Sequence, residues 1–203
     1  MVSNSILSRH DLIAIDNWIE PNSKVIDLGC GNGKLLSHLQ EKKQVSGYGV
    51  ELDTQKVTEC IANGVNVIQI NLDKGLGHFE SNSFDYVILS LTLQAMRDPK
   101  TLLEEMLRVG KQGIVTFPNF AHWRNRLQIG LRGSMPVSQE LPFKWHNTPN
   151  IHLCTINDFE QLCAELNFTI ESSIAVNRNG REGISLKTFP NLFGEIALFR
   201  FSN

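Results

Sequence analysis

The chain has 203 residues, 41% of them hydrophobic and 20% charged, which fits one folded domain and excludes a disordered polar chain. Nineteen Lys and Arg against 21 Asp and Glu give a formal net charge of −2, so no cationic field marks it for nucleic acid or a membrane surface. The longest apolar run, Tyr86–Leu93, falls far short of the roughly 20 residues of a membrane span. Met1–His10 has no basic stretch leading into an apolar one, so a soluble cytoplasmic protein is expected.

In chain order, Ser8 with Asp11 resembles a capping box, and Leu12, Ile15 and Ile19 then share one helical face. Val25–Leu28 reads as a strand running into glycines, and Lys34–Lys42 as a helix burying Leu35, Leu36 and Leu39. Tyr48–Val50 is a second strand. Thr54 can cap a helix with Val57, Cys60 and Ile61 inward and Gly64 as its left-handed stop. Val65–Ile70, Phe84–Leu89 and Gly113–Phe117 supply three further strands, with a helix opened by Asp98-Pro99 before the last of them. That helix carries Leu102, Leu103, Met106 and Leu107 toward the core. Near-continuous apolar strands alternating with helices predict a parallel sheet covered on both faces.

The C-terminal part differs. Thr155 and Asp158 form a capping box ahead of Phe159, Leu162, Cys163 and Leu166 at helical spacing. Thr169–Val176 and Glu195–Phe201 follow as strand-like runs with no helical pattern between them, suited to an antiparallel pair at the sheet edge. The expected architecture is a single three-layer α/β/α domain over residues 1–203. Residues 119–154 break the alternation: 36 residues with three of the seven prolines and no sustained period. Irregular stretches of that length are commonly functional. This one holds Trp123, Trp145 and a local charge of +3, from Arg124, Arg126, Arg132 and Lys144 against Glu140.

Cys30, Cys60, Cys154 and Cys163 contain no C-x-x-C pair, which argues against a zinc ribbon or a disulfide scaffold; no metal site is expected. The strongest local signal is Asp27-Leu28-Gly29-Cys30-Gly31-Asn32-Gly33, after a strand and before a helix. Alternate glycines turn the backbone tightly and let a ligand approach where a Cβ would clash. The free N–H groups of the next helix favour an anionic group. A dinucleotide fingerprint needs a sixth-position glycine, and counting from Gly29 that position is Lys34. Gly-x-Gly-x-Gly behind an acid suits S-adenosylmethionine (SAM) instead. Glu51, 24 residues after Asp27, is placed to accept bonds from ribose hydroxyls and would repel a 2′-phosphate. Asp73, after the third strand, can accept a bond from an adenine amino group.

These strand-end signals resemble the class I SAM-dependent methyltransferase family. The resemblance implies a Rossmann-like, seven-stranded sheet with an antiparallel last strand, and SAM or S-adenosylhomocysteine across the carboxyl ends of the first strands. Motif by motif it carries over Asp27, Gly29, Gly31, Gly33, Glu51 and Asp73. Cys30 inside the loop, Leu52 beside the acid and Ser90 at the fourth strand end complete the expected cofactor set.

A narrower resemblance covers nearly the whole chain. Thr92-Leu93-Gln94-Ala95, Glu104–Gly110, Phe117-Pro118-Asn119-Phe120, His122-Trp123-Arg124, Arg132-Gly133-x-Met135-Pro136, Thr148–Ile156 and Asn191–Glu195 are similar to the methionine biosynthesis protein MetW family. Ser90-Leu91-Thr92 stands where that family usually reads Ser-Gln-Thr. The resemblance implies a role in making methionine from homoserine, with homoserine O-acyltransferase (MetX) as partner. It does not imply that anything is methylated. No catalytic constellation stands out: the run after the fourth strand lacks the prolines and carboxylate of amine methyltransferases, and the candidate bases are the isolated His122, His146 and His152. Arg124, Arg126 and Arg132 beside Trp123 can form a solvated loop face, a partner surface, or a lid over a small acidic substrate.

Overall fold

The computed structural model describes residues 10–177 and 184–203. Its centre is a seven-stranded sheet in the order β3-β2-β1-β4-β5-β7-β6. The strands are β1 (Lys24–Leu28), β2 (Ser46–Glu51), β3 (Val67–Gln69), β4 (Phe84–Ser90), β5 (Gly110–Pro118), β6 (Thr169–Val176) and β7 (Ile196–Ser202). β1 to β5 are parallel, whereas β7 runs antiparallel to both β5 and β6. All five parallel strands therefore end at one edge of the sheet, where β7 begins.

The apolar strands alternate their side chains between two cores, as the two-residue strand period requires. Ile26, Leu28, Val87, Leu89, Val115 and Phe117 face α4 (Pro99–Val109) and α6 (Ile156–Glu165). Val25, Tyr86, Ile88 and Ile114 face α1 (His10–Trp18) and α2 (Lys34–Lys43). Leu12, Ile15 and Ile19 are buried as their spacing predicts; the Ser8 cap lies outside the described residues. Asp98 caps α4 by accepting from the Thr101 N–H at 3.0 Å, and Leu102, Leu103, Met106 and Leu107 are all buried. Among the described residues no helix is long and apolar enough to cross a membrane.

Three expectations need correction. The helix after β2, α3 (Thr54–Ala62), is capped by Asp53 and not by Thr54: Asp53 Oδ1 accepts from the N–H groups of Gln55 and Lys56 at 2.8 and 3.1 Å. A carboxylate there also meets the positive end of the helix dipole. Ile61 of this helix is 65% exposed and Cys60 fully buried, because α3 covers only β2 and the three-residue edge strand β3. Second, residues 119–154 contain a helix, α5 (Trp123–Arg132), closed by Gly133 at φ 61°. It carries no inward apolar stripe, its one buried residue being Asn125, so apolar periodicity could not disclose it. Third, β6 and β7 are separated by α7 (Ile184–Thr188) and α8 (Pro190–Phe193), too short for a helical period to register.

The Thr155–Asp158 box is reciprocal. Thr155 Oγ1 accepts from the Asp158 N–H at 3.2 Å, and Asp158 Oδ2 accepts from the Thr155 N–H at 3.0 Å. Thr155→Ala is expected to cost about 1 kcal/mol, a drop of roughly 2–4 °C in melting temperature for a domain of this size. Thr155→Ser should restore it; thermal unfolding of the three proteins checks this.

Candidate functional site

The carboxyl ends of the parallel strands gather most of the residues that the sequence singles out. The glycine loop leaves β1 and is tied to its neighbour at once: the Gly29 and Cys30 N–H groups both donate to Val50 O, at 2.8 and 3.0 Å. Gly29, Gly31 and Gly33 have φ of 69, 58 and 74°, a region costly for other L residues. A Cβ on Gly29 would lie 2.7 Å from Thr92 Oγ1, and one on Gly33 would lie 3.0 Å from Cys60 Sγ. These two positions press the loop against the turn after β4 and against α3. Gly31 differs, since a Cβ there would meet nothing within 4 Å. The loop is thus packed from below at two points and open at its crest.

Glu51 ends β2 and is 8% exposed. Its Oε2 accepts from the Gly31 N–H at 2.9 Å, and Oε1 accepts from the N–H groups of Leu52 and Asp53 at 2.8 and 3.0 Å. A carboxylate offers about four acceptor positions, so three are engaged and one on Oε2 remains. Asp27 is buried within β1, in register with Gly49 and Ile88 on the flanking strands. Leu52 lies just past Glu51 with its side chain 58% exposed.

Asp73 sits in a tight turn after β3, where Oδ1 accepts from the Arg97 N–H at 3.0 Å and Oδ2 lies 3.7 Å from Arg97 Nε. It links the turns that follow β3 and β4. Ser90 ends β4, its Oγ 3.2 Å from Thr116 Oγ1. The next residue, Leu91, is left-handed at φ 51°, and its N–H is held by Thr116 through the carbonyl at 2.9 Å and Oγ1 at 3.1 Å. Gln94 Nε2 donates to Leu91 O at 3.0 Å, while Gln94 Oε1 is buried with no partner among the described residues. The Gln94 carbonyl accepts from the N–H groups of Ile151 and His152, which brings the Thr-Pro-Asn-Ile-His string back to this edge.

The three histidines part company. His146 is exposed against Trp145, and His152 is exposed with Nε2 3.4 Å from Arg97 O. His122 is 7% exposed at the start of α5. Burial holds its imidazole below the usual range, opposed by the Glu195 carboxylate and aided by Arg124, so the ring is neutral at pH 7. Of the arginines, Arg126 Nε donates to Ala121 O at 2.6 Å. Arg124 lies over the Trp123 ring, 5.4 Å from its centroid, and its Nη1 is 4.0 Å from Glu195 Oε1. Sequence reasoning gave Asn119 and Glu195 only as part of the family resemblance, with no role at a site, and passed over Asn125. They meet His122 because the Asn119 N–H donates to Glu195 O at 2.8 Å and Asn119 Nδ2 to Gly194 O at 2.9 Å, a closure between β5 and β7 that no local pattern signals.

All four thiols are free. Cys30 is half-buried with Sγ 3.7 Å from Cys60 Sγ, and Cys60 donates to Gly31 O at 3.1 Å. Burial raises the Cys30 thiol strongly, and the Asp27 carboxylate adds to the effect. Burial likewise pushes Cys154 and Cys163 up to about 12. The thiolate is the reactive form, so iodoacetamide at pH 8 should modify these cysteines at least about tenfold more slowly in the native protein than in urea, as mass spectrometry of timed samples would record. Equal rates would contradict the burial described here.

The family model described as "Methionine biosynthesis protein MetW" matches residues 9–201. The chain is 37% identical over 209 residues to the bifunctional methionine biosynthesis protein MetXA/MetW of Rhodopirellula baltica, an alignment covering 98% of this chain and 34% of that protein. The chain thus spans about a third of that relative's length. It is also 32% identical over 123 residues to a demethylmenaquinone methyltransferase of Oceanobacillus iheyensis, covering 54% of this chain and 52% of the relative. Among solved structures, an S-adenosylmethionine-dependent methyltransferase of Mesorhizobium loti superposes with a TM-score of 0.72 at 16% identity, over 98% of this chain and 100% of that one. Another, from Archaeoglobus fulgidus, gives 0.66 at 14% identity, over 95% and 91%. The fold is that of the class I SAM-dependent methyltransferases, and by its nearly full-length match the chain belongs to the methionine biosynthesis protein MetW family.

Proposed function

We propose that the chain is a SAM-binding subunit that docks on a homoserine O-acyltransferase and acts with it in homoserine O-acylation, the first committed step to methionine. The observation that carries this reading is the fused relative, in which a MetW-like portion matching 98% of this chain shares one polypeptide with a MetXA portion. The surface supports it. Most of the large hydrophobic side chains left exposed among the described residues lie between Trp123 and Leu153, with Leu131 79% and Trp145 74% exposed. Apolar residues rimmed by arginines are the composition of an interface centre. Acyltransferase is the occupant to which this face is assigned.

The cofactor assignment draws on the loop. The crest at Gly31 is open, with nothing within 4 Å of where a Cβ would stand, and Glu51 beside it retains an acceptor position for a ribose hydroxyl. Asp27, Gly29, Cys30, Gly33, Leu52, Asp73 and Ser90 border this site in the reading, and SAM or S-adenosylhomocysteine is the ligand. SAM carries a sulfonium methyl. Size-exclusion chromatography of the chain mixed with purified homoserine O-acyltransferase tests the partnership. A joint peak at tens of micromolar is expected, and separate elution would overturn it.

A second reading, methyl transfer to a small carboxylate-bearing metabolite, is favoured by one observation: a neutral imidazole, His122, at the carboxyl edge of the sheet. There SAM, held by the glycine loop and Glu51, would supply the methyl group, and His122 would take the proton of the acceptor heteroatom. Methyl-labelled SAM incubated with cell extract would yield a labelled small molecule on this reading; label remaining wholly in SAM would oppose it.

A further inference from the structure

A buried hydroxyl near the end of β5 serves the turn beside the glycine loop. Ile114, Val115, Thr116 and Phe117 are consecutive and all fully buried, and Thr116 alone among them carries a polar side chain. A hydroxyl in such a place needs hydrogen-bond partners, and those of Thr116 lie at the end of β4. Its Oγ1 is 3.2 Å from Ser90 Oγ and accepts from the Leu91 N–H at 3.1 Å, while the Thr116 carbonyl accepts from the same N–H at 2.9 Å.

Leu91 is a residue that needs holding. Among the described residues, the non-glycines with positive φ are Asn22, Gln44, Asn82, Leu91 and Asn167. Asparagine tolerates this region, and Gln44 closes α2 as its cap. Leu91, at φ 51°, has neither reason. A left-handed leucine persists where its surroundings over-determine it, and such residues gather at ligand sites. Thr116 fixes the Leu91 N–H from β5, and the Leu91 carbonyl accepts from Gln94 Nε2 at 3.0 Å.

Contact is what the strained turn achieves. Thr92 Oγ1 and Cγ2 stand 2.7 and 3.0 Å from where a Cβ on Gly29 would lie, so the turn presses directly on the first glycine of the loop. Thr92 Oγ1 also donates to Ser90 O at 2.9 Å, which fixes its side chain in that contact. With Leu91 at an ordinary negative φ, the chain would leave β4 in another direction and Thr92 would no longer back Gly29. We infer that Thr116 is a positioning residue for the cofactor site: it holds Leu91 left-handed, so that Thr92 braces the glycine loop in the form that takes the ligand. The inference rests on the SAM reading above and adds to it a residue on a strand that the glycine and acid motifs do not reach.

Titration calorimetry with SAM tests it on the parent, Thr116→Val, Thr116→Ser and the double variant Leu91→Gly with Thr116→Val, at a temperature where all are folded. Valine keeps the shape of threonine and removes the oxygen. Thr116→Val is expected to weaken SAM about tenfold, the upper worth of one neutral hydrogen bond. Thr116→Ser retains the oxygen and should bind within about threefold of the parent. Glycine adopts a left-handed φ without strain, so Leu91→Gly should restore binding in the Thr116→Val background. A purely structural loss at Thr116 would show no such rescue. Should Thr116→Val fail to fold, Gln94→Leu takes its place: it frees the Leu91 carbonyl and is expected to weaken SAM severalfold. Parent-like binding in Thr116→Val, or in Gln94→Leu where that replaces it, would overturn the inference and leave the cofactor reading intact. So would a double variant as weak as Thr116→Val. No heat from SAM with the parent would overturn both.

Discussion

Glu51→Ala is expected to weaken SAM binding by about two orders of magnitude. In the proposed complex the remaining acceptor position of the carboxylate takes a ribose hydroxyl, and a charge-assisted bond contributes roughly 1.5–3 kcal/mol. Losing about 3 kcal/mol corresponds to about a hundredfold in dissociation constant. The same change strips the acceptor from the N–H groups of Gly31, Leu52 and Asp53, so the glycine loop loses its tie to the end of β2. A lower melting temperature should therefore accompany the weaker binding. Glu51→Gln should not rescue either, because its amide N–H₂ would face backbone donors. Titration calorimetry with SAM on the three proteins reads the first effect. Affinity within threefold of the parent in Glu51→Ala would remove Glu51 from the site.

The second large effect concerns the partner face. Leu131 and Trp145 are the most exposed of the large apolar side chains in the described residues, and their removal disturbs no core, so changes there stay within about 0.5 kcal/mol of fold stability. If the face between Trp123 and Leu153 docks on the acyltransferase, the double variant Leu131→Asp with Trp145→Ala should weaken the complex about a hundredfold or more, since interface hot spots are worth 2 kcal/mol or more each. Its melting curve should match the parent's. The basic rim makes a further demand. Arg124, Arg132 and Lys144 should make association, more than dissociation, sensitive to salt. Surface plasmon resonance at two ionic strengths measures both. An unchanged dissociation constant in the double variant would move the docking surface elsewhere.

What the sequence disclosed follows from which signals are local. Strands buried on both faces read as apolar runs, so β1, β4 and β5 were legible within a few residues of their ends. α4 announced itself through Asp98-Pro99 and an apolar face that is in fact buried. α5 did not, because its outward residues are the apolar ones and its buried residue is Asn125. Periodicity detects a helix that covers a core, not one that presents apolar side chains to solvent. The displaced cap of α3 has a comparable origin: Asp53 and Thr54 are both capping residue types, and only the backbone decides which stands outside the first turn.

The site divided in the same way. Three left-handed glycines after a strand are visible as letters, and so are acids at strand ends. That Glu51 reaches back to the crest of the loop through the Gly31 N–H depends on the β1–β2 register, with Leu28 opposite Val50. Asp73 is at the expected strand end, yet its carboxylate is engaged by Arg97. The cluster at His122 was not legible at all. It joins β5 to the residues before β7 through Asn119 and Gly194, 75 positions apart, and only the antiparallel closure of β7 on β5 brings those segments together. Arg124 looked like one member of a basic run until Glu195 appeared opposite it.

The proposed role rests on one partnership, and the rate of acyl transfer to homoserine tests it most directly. Purified homoserine O-acyltransferase should be measured alone and with increasing amounts of this chain. The rate should change severalfold and saturate as the complex fills, with the Leu131→Asp, Trp145→Ala variant requiring about a hundredfold more protein for the same effect. A rate that stays flat at every concentration of the chain, with active acyltransferase in hand, would contradict it.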